Sequence, residues 1–306
     1  GDKQGCVLIL QKALYGLATS VRAWNLELWD TIQSLGFKPT RADPDLWDKI
    51  DESRDEYEYI GTYVDDLIMV TNNAEQYLKV IKDKYPICNI SYNPEYYLGN
   101  NVERKQNKTI KISNKKYISE VLSNYEKQTG DLKKEKVPMS GGDHPELDMS
   151  PELSGEEQTK YQSCIGILQW IVTSGRFDIS YAVASLSPFN SKPREGHMKR
   201  IRKIFGYLKK YPKRGFLIDP REFNPVPSDE KLEPDFGNQY ADFLEEIDEK
   251  LPVPKMKELS TTIFVDSDHG HDRKTGRSIT GIISFVGRTT IYWSSKRQGA
   301  VQTATF

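Results

Sequence analysis

Two adjacent aspartates interrupt a run of β-branched and aromatic residues. Asp65 and Asp66 stand inside residues 57–70, where Tyr, Ile, Thr and Val flank the acidic pair. This composition predicts two short strands joined by a tight turn. Successive side chains of a regular strand point to opposite faces, so adjacent aspartates can serve one site only where the backbone turns. The sequence therefore predicts a β-hairpin with two carboxylates at its tip.

Paired carboxylates at a turn have more than one interpretation. Hard oxygen ligands hold Mg²⁺, and phosphoryl-transfer sites place two such ions about 3.5–4 Å apart against the attacking and leaving oxygens. The alternative is a hydrated acidic hairpin tip, and a four-residue pattern is compatible with both. A third interpretation, a phosphoacceptor of the receiver type, needs a doubly wound parallel sheet, and the predicted hairpins argue against it.

Length and composition exclude several classes of protein. With 306 residues and 37% hydrophobic content, the chain can bury a core and is long enough for two or three domains. No stretch approaches the roughly 18 apolar residues of a membrane span, so we expect no membrane partner. Cys6, Cys88 and Cys164 are far apart, which argues against a zinc or disulfide framework. The chain starts without Met, and we expect sequence upstream.

Local patterns predict both helices and antiparallel hairpins in the first part of the chain. Apolar residues recur at helical spacing from about residue 20 to 35, before Gly36, and again over 74–85. A short strand at 46–50 precedes the acidic hairpin. A second hairpin has strands at 96–103 and 109–112. This mixture predicts an α+β fold.

The second part of the chain predicts helices and then strands. A helix follows Asn114, and a polar segment at 129–156 separates it from the later ones. The later helices are predicted at 156–175, 179–189 and 195–211. After an acidic, proline-rich linker at 220–258, three consecutive antiparallel strands are predicted at 261–265, 278–286 and 289–294.

The charge is segregated although its sum is only −1. Residues 194–214 hold nine Lys and Arg against one acid, whereas 221–258 hold eleven Asp and Glu against five Lys and Arg. A basic amphipathic helix at 195–211 either contacts a phosphate backbone or is simply solvated on its outer face. Its candidate phosphate contacts are Lys199, Arg200, Arg202, Lys203, Lys209 and Lys210.

The order of these segments resembles one known family. The matching motifs are Leu14-Tyr-Gly-Leu17, Arg22-Ala-Trp24, Tyr63-Val-Asp-Asp66, Tyr97-Leu-Gly99, Tyr117-Ile118, Val137-Pro-Met139, Arg176-Phe-Asp-Ile-Ser-Tyr-Ala-Val183, Val265-Asp-Ser-Asp268 and Tyr292-Trp-Ser-Ser-Lys296. Together they resemble the reverse transcriptase of Ty1/copia-type retrotransposons over essentially the whole chain. The resemblance implies an RNA-directed DNA polymerase that belongs to a Pol polyprotein.

The resemblance also implies a domain order. Residues 1–110 would form part of a right-hand polymerase palm, an antiparallel sheet with helices, and 111–215 a helical thumb. Residues 216–258 would be an acidic linker or connection. Residues 259–306 would be the N-terminal part of an RNase H-like domain.

Site residues carry over from the family motifs. Asp65 and Asp66 match the metal-binding catalytic pair of the polymerase, and Asp266 matches the first metal-binding carboxylate of RNase H. The implied cofactor is Mg²⁺, with Mn²⁺ as a substitute. The implied nucleotide and template contacts are Tyr15, Gly16, Leu17 and Arg22. The implied primer contacts are Tyr63, Val64, Tyr97, Leu98 and Gly99, and the basic helix at 195–211 would track the duplex backbone.

The sequence departs from the family at specific places. Ala18-Thr-Ser-Val21 stands where the family has Lys-Gln-Ala-Pro, so nucleotide or template contacts of that Lys and Gln do not carry over. The family's first palm aspartate and the fingers lie upstream of the matched motifs, and the later RNase H acids lie downstream. A two-metal site without all its carboxylates holds Mg²⁺ poorly. We therefore expect little or no activity from the 306-residue chain alone.

The resemblance finally implies partners and a location. The partners are an RNA/DNA template–primer duplex, dNTPs and the rest of the Pol polyprotein, with no membrane. The location is cytoplasmic, within the virus-like particle of the family, or nuclear. A second hypothesis, from the binding class, is a non-catalytic remnant that holds a nucleic-acid duplex through the basic helix.

Overall fold

The computed structural model describes residue 14 and residues 16–87, 89–221 and 259–301. The chain divides into two compact units, one containing residues 1–91 and the other 92–243 and 258–306, with 244–257 assigned to the first. The mixture of helices and antiparallel sheets confirms an α+β fold. Residues 222–258 of the predicted acidic linker lie outside the described residues.

In its described residues, the first unit has a four-stranded antiparallel sheet and two helices. The strands follow the order β1-β2-β3-β4 in space as in sequence. Their bounds are β1 (Lys38–Pro39), β2 (Leu46–Asp51), β3 (Glu56–Tyr63) and β4 (Asp66–Val70), and the helices are α1 (Ala18–Ser34) and α2 (Ala74–Lys84). The core of the unit is formed by Leu28, Ile32, Phe37, Trp47, Ile60 and Tyr77. Both predicted helices and the predicted hairpin are confirmed.

The helix α1 buries only part of its predicted apolar stripe. Leu28 and Ile32 are buried, whereas Val21 is 51% exposed. Val21 shares the helical spacing of the stripe but is not among the residues that pack in the core of this unit. Gly36 follows the helix with φ of +88°, the left-handed conformation that favours Gly at a helix C-terminus.

A buried carboxylate ties the sheet of the first unit to α2. Glu58 on β3 is 2% exposed and accepts hydrogen bonds from Thr71, Asn73 and Tyr77. Burial raises the pKa of Glu58, but these hydrogen bonds outweigh it and hold the pKa below its usual value. The carboxylate therefore stays charged in the fold and satisfies three donors at once.

The change Glu58→Ala should lower the free energy of unfolding of the first unit by about 2 kcal/mol, because three polar groups lose a charged partner. Since the pKa of Glu58 is lowered on folding, this stabilisation is present above the unfolded-state pKa and is lost as the pH falls through the folded-state pKa. Amide hydrogen exchange across β3 measures the free energy of unfolding of the first unit separately from that of the second. Glu56→Ala, an exposed position on the same strand, is the matched control. Equal protection loss in both variants would contradict the role of Glu58.

The described part of the second unit contains four α-helices and two antiparallel sheets. One sheet has the order β5-β6-β7-β8 and the other β11-β10-β9. The first sheet consists of β5 (Tyr96–Tyr97), β6 (Asn100–Arg104), β7 (Ile110–Ser113) and β8 (Phe216–Ile218), and the second of β9 (Thr261–Asp268), β10 (Ile279–Val286) and β11 (Thr289–Arg297). The helices are α3 (Lys115–Thr129), α4 (Gly155–Thr173), α5 (Ser180–Leu186) and α6 (Glu195–Lys210).

The helices of the second unit surround one apolar core. Ile118, Tyr161, Leu168, Ile204 and Phe205 are each fully buried there. Helix α4 begins at a capping box in which Ser154 and Glu157 bond each other's backbone N–H groups. The predicted helix at 179–189 is shorter than expected, because Pro188 lies in a separate 3₁₀ turn at Ser187–Phe189.

The predicted strand at 96–103 is folded back on itself. Tyr97 pairs with Asn100, and the two residues between them, Leu98 and Gly99, have φ of +44° and +78°. Two successive positive φ angles characterise the type I′ hairpin turn. The prediction of one continuous strand was wrong because Leu in this position gives no turn signal.

Two short strands were not predicted. β1 has two residues, and β8 has three and adds to β7 through pairs such as Ile112 with Phe216. Gly215 permits this close approach, since a Cβ there would lie 1.9 Å from the carbonyl oxygen of Ile112. The sequence pattern of three residues is too short to distinguish a strand from a loop.

The C-terminal sheet packs on the helices of the second unit. The Trp293 indole nitrogen donates to the carbonyl oxygen of Val172 at 3.0 Å. The Tyr181 hydroxyl lies 2.8 Å from a ring nitrogen of His271. The three predicted strands are confirmed. β9 and β11 extend beyond their predicted C-terminal ends, to Asp268 and Arg297, and β10 begins at Ile279. No helix within the described ranges is long and apolar enough to cross a membrane.

Candidate functional site

The acidic pair lies at the tip of the β3–β4 hairpin. Tyr63 pairs with Asp66 across the strands, so Val64 and Asp65 form a two-residue turn. Both aspartates are exposed. Across the described residues of the first unit, neither carboxylate has a hydrogen bond or an ion pair with another side chain. The predicted hairpin is confirmed, and its tip presents two carboxylates that form no ion pair with a described cation of this unit.

Val64 occupies a strained position in this turn. Its φ is +57° while Asp65 has an ordinary negative φ, the pattern of a type II′ turn, which favours Gly at its first central position. A β-branched residue with positive φ is an outlier. The Trp24 indole nitrogen donates to the Val64 carbonyl oxygen at 2.6 Å, and the Trp24 ring contacts Tyr85 edge-on at 5.2 Å. The hydrogen bond from Trp24 therefore stabilises the strained turn.

The change Val64→Gly should raise the free energy of unfolding of the first unit by about 1 kcal/mol. Relief of the backbone strain, about 1–3 kcal/mol, exceeds the extra unfolded-state freedom of Gly, about 0.4–1 kcal/mol. Val70→Gly, at an exposed strand position of the same hairpin, should instead destabilise the unit. Hydrogen exchange of β3 and β4 distinguishes the two. Destabilisation of similar size in both variants would contradict strain at Val64.

The segment before α1 carries the predicted nucleotide and template contacts. Tyr15 lies outside the described residues. Gly16 has φ of +94° and open space where a Cβ would stand, and Leu17 and Arg22 are exposed. Their side of the helix start is thus accessible, and their contacts with nucleotide or template stay predictions.

The predicted primer contacts fall in both units. Tyr63 and Val64 are exposed beside the acidic pair, whereas Tyr97, Leu98 and Gly99 form the β5–β6 turn of the second unit. The Asn100 amide donates to the Leu98 carbonyl oxygen at 3.0 Å and steadies that turn. A role in gripping a primer stays a prediction for these residues.

Most of the predicted phosphate contacts on α6 have partners within the protein. Arg200 bonds Asp143 and Asp148, at 2.7 and 2.6 Å in the closest contacts. The other internal contacts join Arg202 to the backbone carbonyls of Thr129 and Asp131, Lys203 to Ser140, and Lys209 to Glu126 and Asp131. These pairs hold α6 against residues 126–148. Their binding to nucleic acid stays a prediction, and the internal acids compete for the same cations.

Asp266 lies within β9 rather than at its end. It pairs with Gly281 on β10, and its carboxylate accepts a hydrogen bond from the backbone N–H of Ser267 at 2.9 Å. The carboxylate of Asp268 is 2.6 Å from a ring nitrogen of His271. No group of three or more His, Cys, Asp or Glu placed to hold a metal ion was found among the described residues. The assignment of Asp266 as a metal ligand stays a prediction.

The motif at 176–183 has a structural role that the sequence did not reveal. Arg176 is 0% exposed and donates two hydrogen bonds to Asp178, at 2.8 and 2.9 Å. Its guanidinium lies 5.9 Å from the Tyr207 ring centre, and the Tyr207 hydroxyl donates to Asp178 at 2.8 Å. The Arg176–Asp178 ion pair thus connects the turn before α5 to Tyr207 on α6.

Comparison with known proteins agrees with these motifs. Residues 1–140 match the family described as reverse transcriptase (RNA-dependent DNA polymerase). The chain is 27% identical over 308 aligned positions, 99% of its length, to the retrovirus-related Pol polyprotein from transposon RE1 of Arabidopsis thaliana. It is 26% identical over 94% of its length to the transposon Ty5-1 protein of Saccharomyces cerevisiae, and 26% identical over 68% to the Pol polyprotein from transposon TNT 1-94 of Nicotiana tabacum.

The relatives differ in how much of them the chain spans. It covers 18% of the RE1 polyprotein and 16% of the TNT 1-94 polyprotein, but 81% of the Ty5-1 protein. No solved structure matches the chain. The family match covers the acidic hairpin, and the similarity to the polyproteins extends through the second unit. Residues 1–140 therefore match the reverse transcriptase family, and nearly the whole chain is similar to Pol polyproteins of copia-type retrotransposons.

Proposed function

We propose that the β3–β4 hairpin carries two of the catalytic carboxylates of an RNA-directed DNA polymerase. The observation that carries this proposal is the exposed pair Asp65 and Asp66 at a hairpin tip, without an ion pair in the described part of the first unit. Two free carboxylates are the hard-oxygen donors that Mg²⁺, or Mn²⁺ in its place, prefers. The residues present therefore fit the metal that reverse transcription uses.

The hairpin positions these groups for nucleotidyl transfer. Asp65 and Asp66 would hold Mg²⁺, which when bound neutralises charge developing on the transferred phosphoryl group. Tyr63 and Val64 stand next to the pair and would shape the pocket of the primer terminus. The strained turn and its hydrogen bond from Trp24 keep the tip in one conformation, which is the preorganisation that electrostatic catalysis requires.

The domain roles follow from the same proposal. Residues 1–110 act as part of a palm, 111–215 as a thumb, 216–258 as a connection and 259–306 as the opening of an RNase H-like domain with Asp266 as its first carboxylate. The three antiparallel strands β9, β10 and β11 support the last assignment. The proposed partners are a template–primer duplex, dNTPs and other parts of a Pol polyprotein. The proposed location is a cytoplasmic particle or the nucleus.

A second candidate function is nucleic-acid binding without catalysis. It is favoured by the cations around the C-terminal end of α6, several of which have no acidic partner in the described second unit. This alternative predicts binding that falls steeply with salt and does not change with Asp65→Asn.

Primer extension separates the two candidates. An oligo(dT) primer on poly(A) is offered to the 306-residue chain and to a form lengthened upstream, with Mg²⁺ or with a chelator. We expect dTTP incorporation by the lengthened form only, and only with Mg²⁺. Robust extension by the 306-residue chain would refute its proposed inactivity. Duplex binding without incorporation by either form would favour the alternative function.

A further inference from the structure

A basic cleft lies in the second unit, away from the middle of α6. It has a volume of about 560 Å³ and is formed by the β6–β7 hairpin together with the turn between α6 and β8. Five cations line it: Lys105, Lys111, Lys210, Lys213 and Arg214. None of the described residues that line the cleft is acidic.

The backbone fixes the shape of this cleft. β8 pairs with β7 so that Leu217 stands opposite Lys111. Gly215 lies against β7 so closely that a Cβ would come within 1.9 Å of the Ile112 carbonyl oxygen. The turn at 211–215 is therefore held over the hairpin, and its cations face those of β7 and the β6–β7 loop across a preformed groove.

The cations of the cleft are not neutralised as those of α6 are. Lys105, Lys111, Lys210 and Lys213 form no ion pair with any acid of the described residues. Glu103 is opposite Lys111 in the β6–β7 register but makes no ion pair with it. Only Arg214 approaches a carboxylate, at 3.8 Å from Asp178. Like charges at close range repel one another, and a polyanion relieves this repulsion.

An aromatic ring completes the cleft. The Arg214 guanidinium lies 4.1 Å from the ring centre of Tyr211, and the Lys210 ammonium 5.5 Å from it. Sites that bind a nucleic-acid strand combine two features. Cations contact the phosphates, and a flat aromatic or apolar surface contacts the sugars or bases. A site for a simple inorganic anion does not need the apolar lining.

We propose that this cleft binds the sugar–phosphate backbone of a nucleic-acid strand through successive phosphates. This contact involves β7, the β6–β7 loop and the α6–β8 turn, and it shares only Lys210 with the phosphate contacts predicted along α6. The choice of nucleic acid as the polyanion depends on the proposed function. The preference of the cleft for anions does not depend on the proposed function, because it follows from the charges of the lining residues.

The test measures binding of a fluorescent RNA–DNA duplex to the whole 306-residue chain by anisotropy, in chelator, between about 50 and 200 mM salt. The variant Lys105→Glu/Lys213→Glu changes two exposed residues outside the strands. We expect binding about tenfold weaker and a log–log salt slope reduced by about two, since two phosphate contacts are lost. The matched control Lys134→Glu/Lys136→Glu reverses two exposed lysines elsewhere in the unit and should stay within about twofold of wild type.

Three results would overturn the proposal. They are equal weakening in both variants, no duplex binding by the wild-type chain, and polyglutamate competing as well as duplex. Asp65→Asn/Asp66→Asn should bind duplex like wild type in chelator. The cleft can therefore fail while polymerase activity stands, and the polymerase assignment can fail while the cleft stands.

Discussion

Asp65→Asn and Asp66→Asn are each expected to lower dTTP incorporation by the lengthened chain at least about 1000-fold. A metal ion supplies several kcal/mol of charge stabilisation in the transition state, and about 4 kcal/mol corresponds to a factor of 1000. Asn keeps the shape of Asp but removes the charge that holds a divalent cation. Because both carboxylates are exposed and without side-chain partners in the described part of the first unit, neither change should alter folding.

Asp83→Asn is the matched control for these variants. Asp83 is an exposed aspartate of the same unit, on α2, and its replacement should leave incorporation unchanged. Rates are compared at saturating Mg²⁺ and again over a Mg²⁺ titration. If Asp65→Asn and Asp66→Asn retained more than about a tenth of wild-type activity, the carboxylates would not be metal ligands of the reaction.

The change Arg176→Leu should lower the free energy of unfolding of the second unit by about 3 kcal/mol. Removal of one partner of a buried ion pair leaves the other charge uncompensated, at a cost of about 3–5 kcal/mol. The lower figure applies because the Asp178 side chain is 22% exposed. The Tyr207 hydroxyl would still donate to Asp178, whose remaining cation, Arg214, is more distant, at 3.8 Å. Hydrogen exchange of α6 measures the loss.

The loss should depend on pH. Burial raises the pKa of Asp178, but Arg176, with smaller contributions from Tyr207 and Arg214, outweighs burial and holds the pKa below its usual value. This stabilisation is present above the unfolded-state pKa and is lost as the pH falls through the folded-state pKa. Without Arg176, burial raises the pKa of Asp178, so the destabilisation should be larger at pH 7 than near pH 4.

The double variant Arg176→Leu/Asp178→Leu is the control for the ion pair. Replacing both partners with apolar residues is often close to neutral, so it should recover much of the stability lost by Arg176→Leu alone. Additive loss in the double variant would show that the effect comes from side-chain packing and not from the unpaired carboxylate.

Helices and hairpins with a clear hydrophobic period in a short stretch of sequence were predicted correctly. The period of two around Asp65 and Asp66, and the spacing of Leu28 and Ile32, depend on short stretches of sequence. The Leu98–Gly99 turn could not be predicted, because Leu seldom adopts a positive φ and only tertiary packing selects it there.

Long-range contacts explain the other differences. Arg200 and Lys209 looked like surface cations in the sequence, but Asp143 and Glu126, more than fifty positions away, pair with them. Four of the five cleft cations have no such partner among the described residues, and Arg214 approaches only Asp178, at 3.8 Å, because the β8 pairing brings a basic turn beside a basic hairpin. Residue spacing along the chain cannot distinguish these two situations, since Arg200, Lys209 and Lys213 belong to one positive run, and Lys105 and Lys111 lie far from it in sequence.

The most direct measurement is single-nucleotide extension of the oligo(dT) primer on poly(A), resolved on a gel with the lengthened chain in Mg²⁺. The polymerase assignment predicts a primer longer by one nucleotide with wild type and with Asp83→Asn, and none with Asp65→Asn or Asp66→Asn. Extension that persists in the two hairpin variants would contradict the assignment of Asp65 and Asp66 as its catalytic carboxylates.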